Sequence, residues 1–232
     1  MMPLLAPLAF ALLQAAAPAP EVLAYRFDEV KRTVYLQPGG PKGKEVKAVK
    51  GAPAASGDAV RTGWLGQTII SVPTRNSRFE IFADTQVQLA SGEPGVLLVV
   101  QRGRIKAIFQ ALLDGHQEER RVAVPGALLA VRGTNYGVEV HKDGTTTLAV
   151  FEGVVEVIGQ GPQTEPIRVK AGEWSTFGPG LAAKIETMRA QGFEERTWNQ
   201  GMRPNGTMSS GPMAPGGAMK RGSPTGPGQP HM

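Results

Sequence analysis

The 232-residue sequence contains no cysteine. That absence excludes disulfides, thiolate metal sites, a cysteine nucleophile and a lipid-modified N-terminal cysteine. Histidine is scarce, with only His116, His141 and His231, and no serine sits in a G-x-S-x-G setting. A nucleophile triad or a histidine metal centre needs more convergence than this. Long apolar runs are also missing beyond the N-terminus. The longest, such as Gly95–Val100, have the length of a strand, whereas a membrane helix needs about 20 apolar residues. The glycines around Gly57, Gly63 and Gly66 lack G-x-G-x-x-G spacing, and those around Gly133 and Gly137 lack a Gly-Lys-Ser/Thr ending. No phosphate loop follows from either. These gaps point away from an enzyme and imply no cofactor and no metal.

Charge is absent from the first 20 residues too, and here the absence is informative. Leu4–Leu13 form an apolar core of signal-peptide length, followed by the small residues Ala15, Ala16, Ala17 and Ala19, which offer A-x-A-like cleavage sites. Residues 1–20 are therefore read as an export signal, with an uncleaved anchor or a buried N-terminal segment as alternatives. Gln14 and Pro18 close the stretch before span length, so no integral membrane span is expected after cleavage. The formal net charge is +5, with 25 Lys+Arg against 20 Asp+Glu. In an exported protein, periplasmic or extracellular, that balance suits an anionic envelope surface or scattered solvated charge better than nucleic acid.

What the sequence does hold, from Val22 to Phe177, is a series of short apolar segments broken by Gly, Pro, Asn and Asp. Strands are expected at 78–82, 85–89, 96–100, 104–109 and 121–124, and again at 136–140, 146–151, 154–158, 167–169 and 174–177. Tyr136–Val140 alternates at period 2, as a half-buried strand does. Asp143-Gly144 marks a hairpin turn. This spacing predicts an all-β body over residues 21–180: a multi-stranded roll or sandwich, or a β-helix-like fold. Residues 181–198 change character. Ile185, Met188 and Trp198 stand among charged residues after Gly178-Pro179-Gly180, which predicts one amphipathic helix packed on the body. Residues 199–232 contain eight glycines, six prolines and no acids. Such a tail buries too little apolar surface to offset its ordering entropy and is expected to be disordered. It also carries Met202, Met208, Met213, Met219 and Met232. Thioethers suit Cu(I), but the loose spacing favours a neutral linker.

Six motifs follow one another through the body: Gly57–Gly63, Leu97–Ile105, Val122–Ala127, Ala130–Val138, Val150–Val157 and Val169–Glu173. Together they resemble the FecR-like domain of bacterial envelope proteins, with its G-D-x-V-x-T-G opening, V-R-G-T-x-F core, E-G-x-V-x-V strand and closing A-G-E/Q. The resemblance spans roughly residues 30 to 178. Tyr136 stands where the family usually has Phe, and Pro125-Gly126 where it tends to have Thr-Pro. The resemblance implies an all-β roll that binds proteins and performs no catalysis. In the best-known members the domain follows an anti-sigma segment and a membrane helix. Neither is visible here, so the exported domain itself is the part that carries over.

Individual residues read mainly as structure. In Arg132-Gly133-Thr134, Gly133 suits a positive φ or a close chain approach, and Arg132 is expected to pair with Glu152 or Glu156. Glu152-Gly153 separates two strands. The neighbouring acids Glu118-Glu119 and Glu194-Glu195 point to opposite faces if extended, so neither pair forms an acid/base site. Two function classes remain. The first is a module that binds another envelope protein through a strand edge or loop face. The second is a cell-wall or polysaccharide binder using the flat indole of Trp64 with Lys42, Lys44, Lys47 and Lys50. Trp174 sits in an alternating strand and is expected to be core.

Overall fold

The structure is a computed structural model, and it describes residues 23–90, 92–110, 119–160, 165–188 and 193–201. The expected export signal, the loop holding His116 and Glu118, and the methionine-rich tail beyond Gly201 lie outside these residues. The N-terminal half contains β1 (Ala24–Lys31), β2 (Val34–Gln37), β3 (Val46–Lys47), β4 (Pro53–Ala55), β5 (Ala59–Thr62), β6 (Gln67–Val72), β7 (Ser77–Ile81) and β8 (Gln86–Leu89). A long strand, β9 (Val96–Phe109), leads into β10 (Arg120–Val124), β11 (Ala127–Val131), β12 (Asn135–Val140) and β13 (Thr146–Glu152). Then come β14 (Val154–Gly159), β15 (Ile167–Lys170), β16 (Glu173–Gly178), β17 (Leu181–Thr187) and the short helix α1 (Glu195–Asn199).

The strands form one continuous 17-stranded sheet that folds on β9 into two layers. The first layer runs β4-β1-β6-β7-β9-β12-β13-β16-β17. The second runs β3-β2-β5-β8-β9-β10-β11-β14-β15. Only the β9–β10 pairing is parallel among those described. After β9 the chain deposits hairpins alternately on the two layers: β10–β11, β12–β13, β14–β15, β16–β17. The fold is thus all-β, as the turn spacing predicts, and among the architectures left open it is a roll.

Local chemistry explains the bend in β9. Its N-terminal half pairs with β8 and its C-terminal half with β12, and Gly103 sits between them with φ +94°. A Cβ there would lie 2.4 Å from Thr85 Oγ1. Only glycine permits this conformation and approach, so the two expected strands 96–100 and 104–109 are one bent strand. Between the layers, alternate residues form a dry core that includes Phe27, Ile70, Phe79, Leu98, Leu129 and Val155. Each such side chain contributes about 1.5–3 kcal/mol by burial. Phe109 meets Phe79 edge-on at 5.7 Å and stacks on Tyr136 at 5.9 Å.

The region 181–198 is not one helix. Leu181–Thr187 is a strand, paired antiparallel with β16 from Gly178↔Leu181 to Glu173↔Thr187. Gly178-Pro179-Gly180 is the hairpin turn that joins them, with Gly180 at φ +75°. The open edge of β16 offers backbone partners along its whole length, and this outweighs the weak helical preference of the segment. Helix is confined to Glu195–Asn199. Trp198 on it is fully buried, so residues beyond 180 pack on the β body as well.

Candidate interaction surfaces

The FecR-like signature residues build a turn-on-turn contact. Gly133, at φ +60°, lies in the β11–β12 turn, and Gly153, at φ +79°, lies in the β13–β14 turn. A Cβ on Gly153 would stand 2.8 Å from Gly133 O and from Thr134 Cγ2. The carbonyl of buried Thr134 accepts the Phe109 N–H at 2.8 Å. These residues lock hairpins of opposite layers together. Arg132 and Glu152 are both exposed beside them. The expected ion pair from Arg132 does not form among the described residues: Glu156 instead meets Arg168 at 3.4 Å. Its strand faces β15, whose Arg168 stands directly opposite across the ladder.

The other candidate residues lie at the opposite end of the layers, on the edge made by β2 and β3. Lys47 is exposed opposite Tyr35. The Ala48 N–H donates to Val34 O, and the Gly63 N–H to Thr33 O, each at 2.9 Å. The end of β3 and the β5–β6 turn therefore meet the neighbouring residues Val34 and Thr33 where the chain enters β2. This brings Val49 and Lys50 to one side and Trp64 and Leu65 to the other. Trp64 is 53% exposed, Val49 60% and Leu65 44%, with Val46 on the same edge at 52%. Arg32, in the adjoining β1–β2 turn, is exposed as well. Trp64 and Leu65 are neighbours in the β5–β6 turn, and an exposed indole beside an exposed leucine is the feature of this edge that calls for an explanation. Lys42 and Lys44 are not part of that corner. They sit in the β2–β3 loop, whose Gln37 end is tied down by Gln37 Nε2–H donating to Pro41 O at 3.2 Å. The four lysines singled out from sequence are thus split, with Lys47 and Lys50 nearer the indole.

The outer face of the first layer gives a second surface, and it is covered. Trp198 lies on Gly137 so closely that a Cβ there would be 2.2 Å from the indole. The indole N–H donates to Ile105 O at 3.3 Å. Phe82, Ala149, Met188 and Phe193 complete a small apolar cluster, with Phe151 and Trp174 at its rim. The Arg104 guanidinium stands 4.7 Å from the Phe82 ring and 6.0 Å from Trp198. Glu195 is bound by Lys106 Nζ and by Asn135 Nδ2 at 3.1 Å. Burial alone would raise the Glu195 carboxyl, but these hydrogen bonds and the Lys106 charge outweigh it and hold it below its ordinary value. Its neighbour Glu194 turns away to Arg196 at 3.0 Å. Sequence reasoning missed this cluster because its parts come from β9, β12, β13, β16, α1 and the residues just after β7 and β17. The available signal was Gly137 in an otherwise apolar strand, which marks a close approach.

Elsewhere the polar groups do not converge on a reaction. His141 lies at the end of β12, 3.2 Å from Thr147 Oγ1 and 3.8 Å from Glu139. Among the described residues no group of three or more His, Asp or Glu side chains stands together as a metal site, and no helix is long and apolar enough to cross a membrane.

Comparison with known proteins bears on the body. No curated protein matches the chain. Two crystal structures of an anti-sigma-factor candidate from Parabacteroides distasonis are similar, each at 13% identity with a TM-score of 0.46. The similarity covers 58% of this chain and 65% or 64% of theirs, so less than two thirds of that protein's length is spanned. In sequence, residues 58–156 match the family model described as FecR protein. The match starts just before β5 and ends within β14, taking in the bent strand and both turns of the signature contact. Residues 30–57 and 157–178 of the wider sequence resemblance fall outside it. Over residues 58–156 the chain thus matches the FecR family model, in agreement with the resemblance read from its motifs.

Proposed function

We propose that this is a non-catalytic, exported protein that acts as a protein-interaction or signal-related module in the bacterial cell envelope. The observation that carries this reading is the exposed pair Trp64 and Leu65 in the β5–β6 turn, on an edge that also leaves Val46 and Val49 exposed. An exposed tryptophan beside another apolar side chain is the kind of surface that buries well against another protein, and tryptophan is among the residues that dominate the energetics of such contacts. The FecR match and the resemblance to a family of regulatory envelope domains support a role in relaying or scaffolding rather than in chemistry.

The half-exposed indole beside lysines favours one second reading, docking on an anionic cell-wall polysaccharide. Cross-linking in living cells with tagged protein, followed by mass spectrometry, separates the two. The proposal expects one dominant protein partner, lost on Trp64→Ala and weakened by Lys47→Glu. Co-sedimentation with wall material that disappears with the same substitutions would replace the protein partner by a glycan. Capture that neither substitution alters would remove the corner from the function.

A further inference from the structure

The two layers of the roll end at the last hairpins of the chain. The second layer stops at β15, and the first runs on to β17, which pairs only with β16 among the described residues. Ile185 on β17 stands opposite fully buried Ser175, and Ala183 on the same face packs against the main core. Ile185 therefore lies on the core-facing side of the sheet, yet it is 41% exposed. A cavity of about 420 Å³ opens between the layers at this end, lined in part by Val157, Ile167, Phe177 and Ala183. Sheet and core both stop at the β17 edge without a neighbour among the described residues.

The backbone of that edge is aimed outward at alternate residues. The Met188 N–H donates to Gly172 O at 2.8 Å, one step beyond the Glu173↔Thr187 pair. Alternation in an antiparallel ladder then turns Glu186 and Lys184 toward β16 and points the N–H and C=O of Ile185 and Thr187 off the edge. Charged side chains on an edge ordinarily deter strand addition. Here the charges are Lys184 and Glu186, two residues apart on one face and 3.1 Å from each other. Lys184-Ile185-Glu186 is complementary to its own reversed copy, so it deters other strands more than it deters itself.

We propose that β17 is a self-association edge whose occupant is β17 of a second copy of this chain, paired antiparallel about a two-fold axis at Ile185. In that register Ile185 and its counterpart exchange both backbone hydrogen bonds, and their side chains meet over the open end of the core. Each Lys184 stands opposite the partner's Glu186. A register centred on Lys184 or Glu186 would set like charges opposite each other, and one centred on Ala183 or Thr187 would leave both charges without an opposite-sign counterpart. The contact is isologous and closes on itself, so it makes a dimer and not a fibre. It does not involve the Trp64 edge and does not depend on it.

The test is sedimentation of the full chain at concentrations up to about 1 mM, a range in which a small interface still associates. The wild type should form a concentration-dependent dimer. Lys184→Glu and Glu186→Lys each place like charges opposite each other twice, and each should weaken the dimer at least about tenfold. The double variant Lys184→Glu/Glu186→Lys restores both pairs and should dimerise like the wild type. That rescue separates a lost contact from a lost fold, and association through the N-terminal apolar segment would be blind to all three variants. In hydrogen exchange the Ile185 and Thr187 amides should slow as protein concentration rises, while those of Lys184 and Glu186 should be slow throughout. A wild type that stays monomeric over this range would overturn the proposal. So would a dimer that neither single charge reversal weakens, or one that the double variant fails to restore.

Discussion

Trp64 and Trp198 are the same residue in opposite situations. The first sits in a four-residue turn at the edge of the layers with half its surface in water, next to Leu65. The second is fully buried on the outer face of the first layer, 93 residues along the chain from the carbonyl it binds. The roll needs neither for its interior, which is aliphatic and phenylalanine-rich. An apolar side chain outside the core is either covered by the chain itself or left for something else, and this protein does both. The difference lies in the floor. Gly137 and Ala149 leave a hollow on the first layer into which an indole fits, whereas the β5–β6 turn has solvent around it.

Substituting the covered tryptophan tests that contrast most severely. Removing a buried tryptophan from a rigid core costs about 3–5 kcal/mol. Trp198 is fully buried against Gly137, so Trp198→Ala should fall in that range in denaturant unfolding of the β roll. The same logic predicts strong non-additivity with Gly137→Ala. That change should destabilise the wild type, because its Cβ collides with the indole. In the Trp198→Ala background it should be neutral to within about 0.5 kcal/mol or better, since alanine suits a strand more than glycine does.

A smaller and reversible effect comes from pH. Glu195 is held below its ordinary value of 4.5 against the opposing effect of burial, by the Lys106 and Asn135 hydrogen bonds and the Lys106 charge. Glu80, 4.0 Å from Lys106, shares that cation. A lowered folded value means that the contact contributes fully above 4.5, and that the contribution is lost as pH falls through the folded value. Trp198 fluorescence should therefore shift toward that of a solvated indole on acidification below about 4.5. Glu195→Gln should flatten the shift, while the far-ultraviolet signal of the roll persists.

Tyr136 sharpens the comparison from the other side of the same strand. It points into the core beside Gly137, and its hydroxyl is buried without a partner among the described residues. Burial also pushes its ionisation up. Tyr136→Phe removes a desolvated donor, and the roll should be unchanged or more stable by about 1 kcal/mol in chemical denaturation. The smallest expected stability effect is that of Trp64→Ala, within about 0.5 kcal/mol by thermal or denaturant unfolding, as for other surface positions. Capture of the partner should nonetheless be lost.

The sequence reading recovers what depends on local pattern. Tyr136–Val140, Thr146–Phe151 and the Asp143-Gly144 turn are legible because period-2 alternation and turn chemistry are short-range. Asp143 Oδ1 accepts the Thr145 N–H at 2.9 Å, as an Asp-Gly turn implies. The segment 181–187 is misread because its strand character comes from β16, not from its own residues. The covered site is invisible for the same reason: Phe82, Gly137, Ala149 and Trp198 meet only once the hairpins have alternated between layers. Trp64 could be singled out from sequence because an indole beside glycines in a turn has few places to hide.

The most direct test of the functional account is site-specific photo-cross-linking from position 64 in living cells. The account predicts a single dominant protein adduct from that position, outcompeted by excess unlabelled protein and not by excess Trp64→Ala protein. No adduct, or adducts only to wall polymer, would contradict the claim that this corner is where the protein meets its partner.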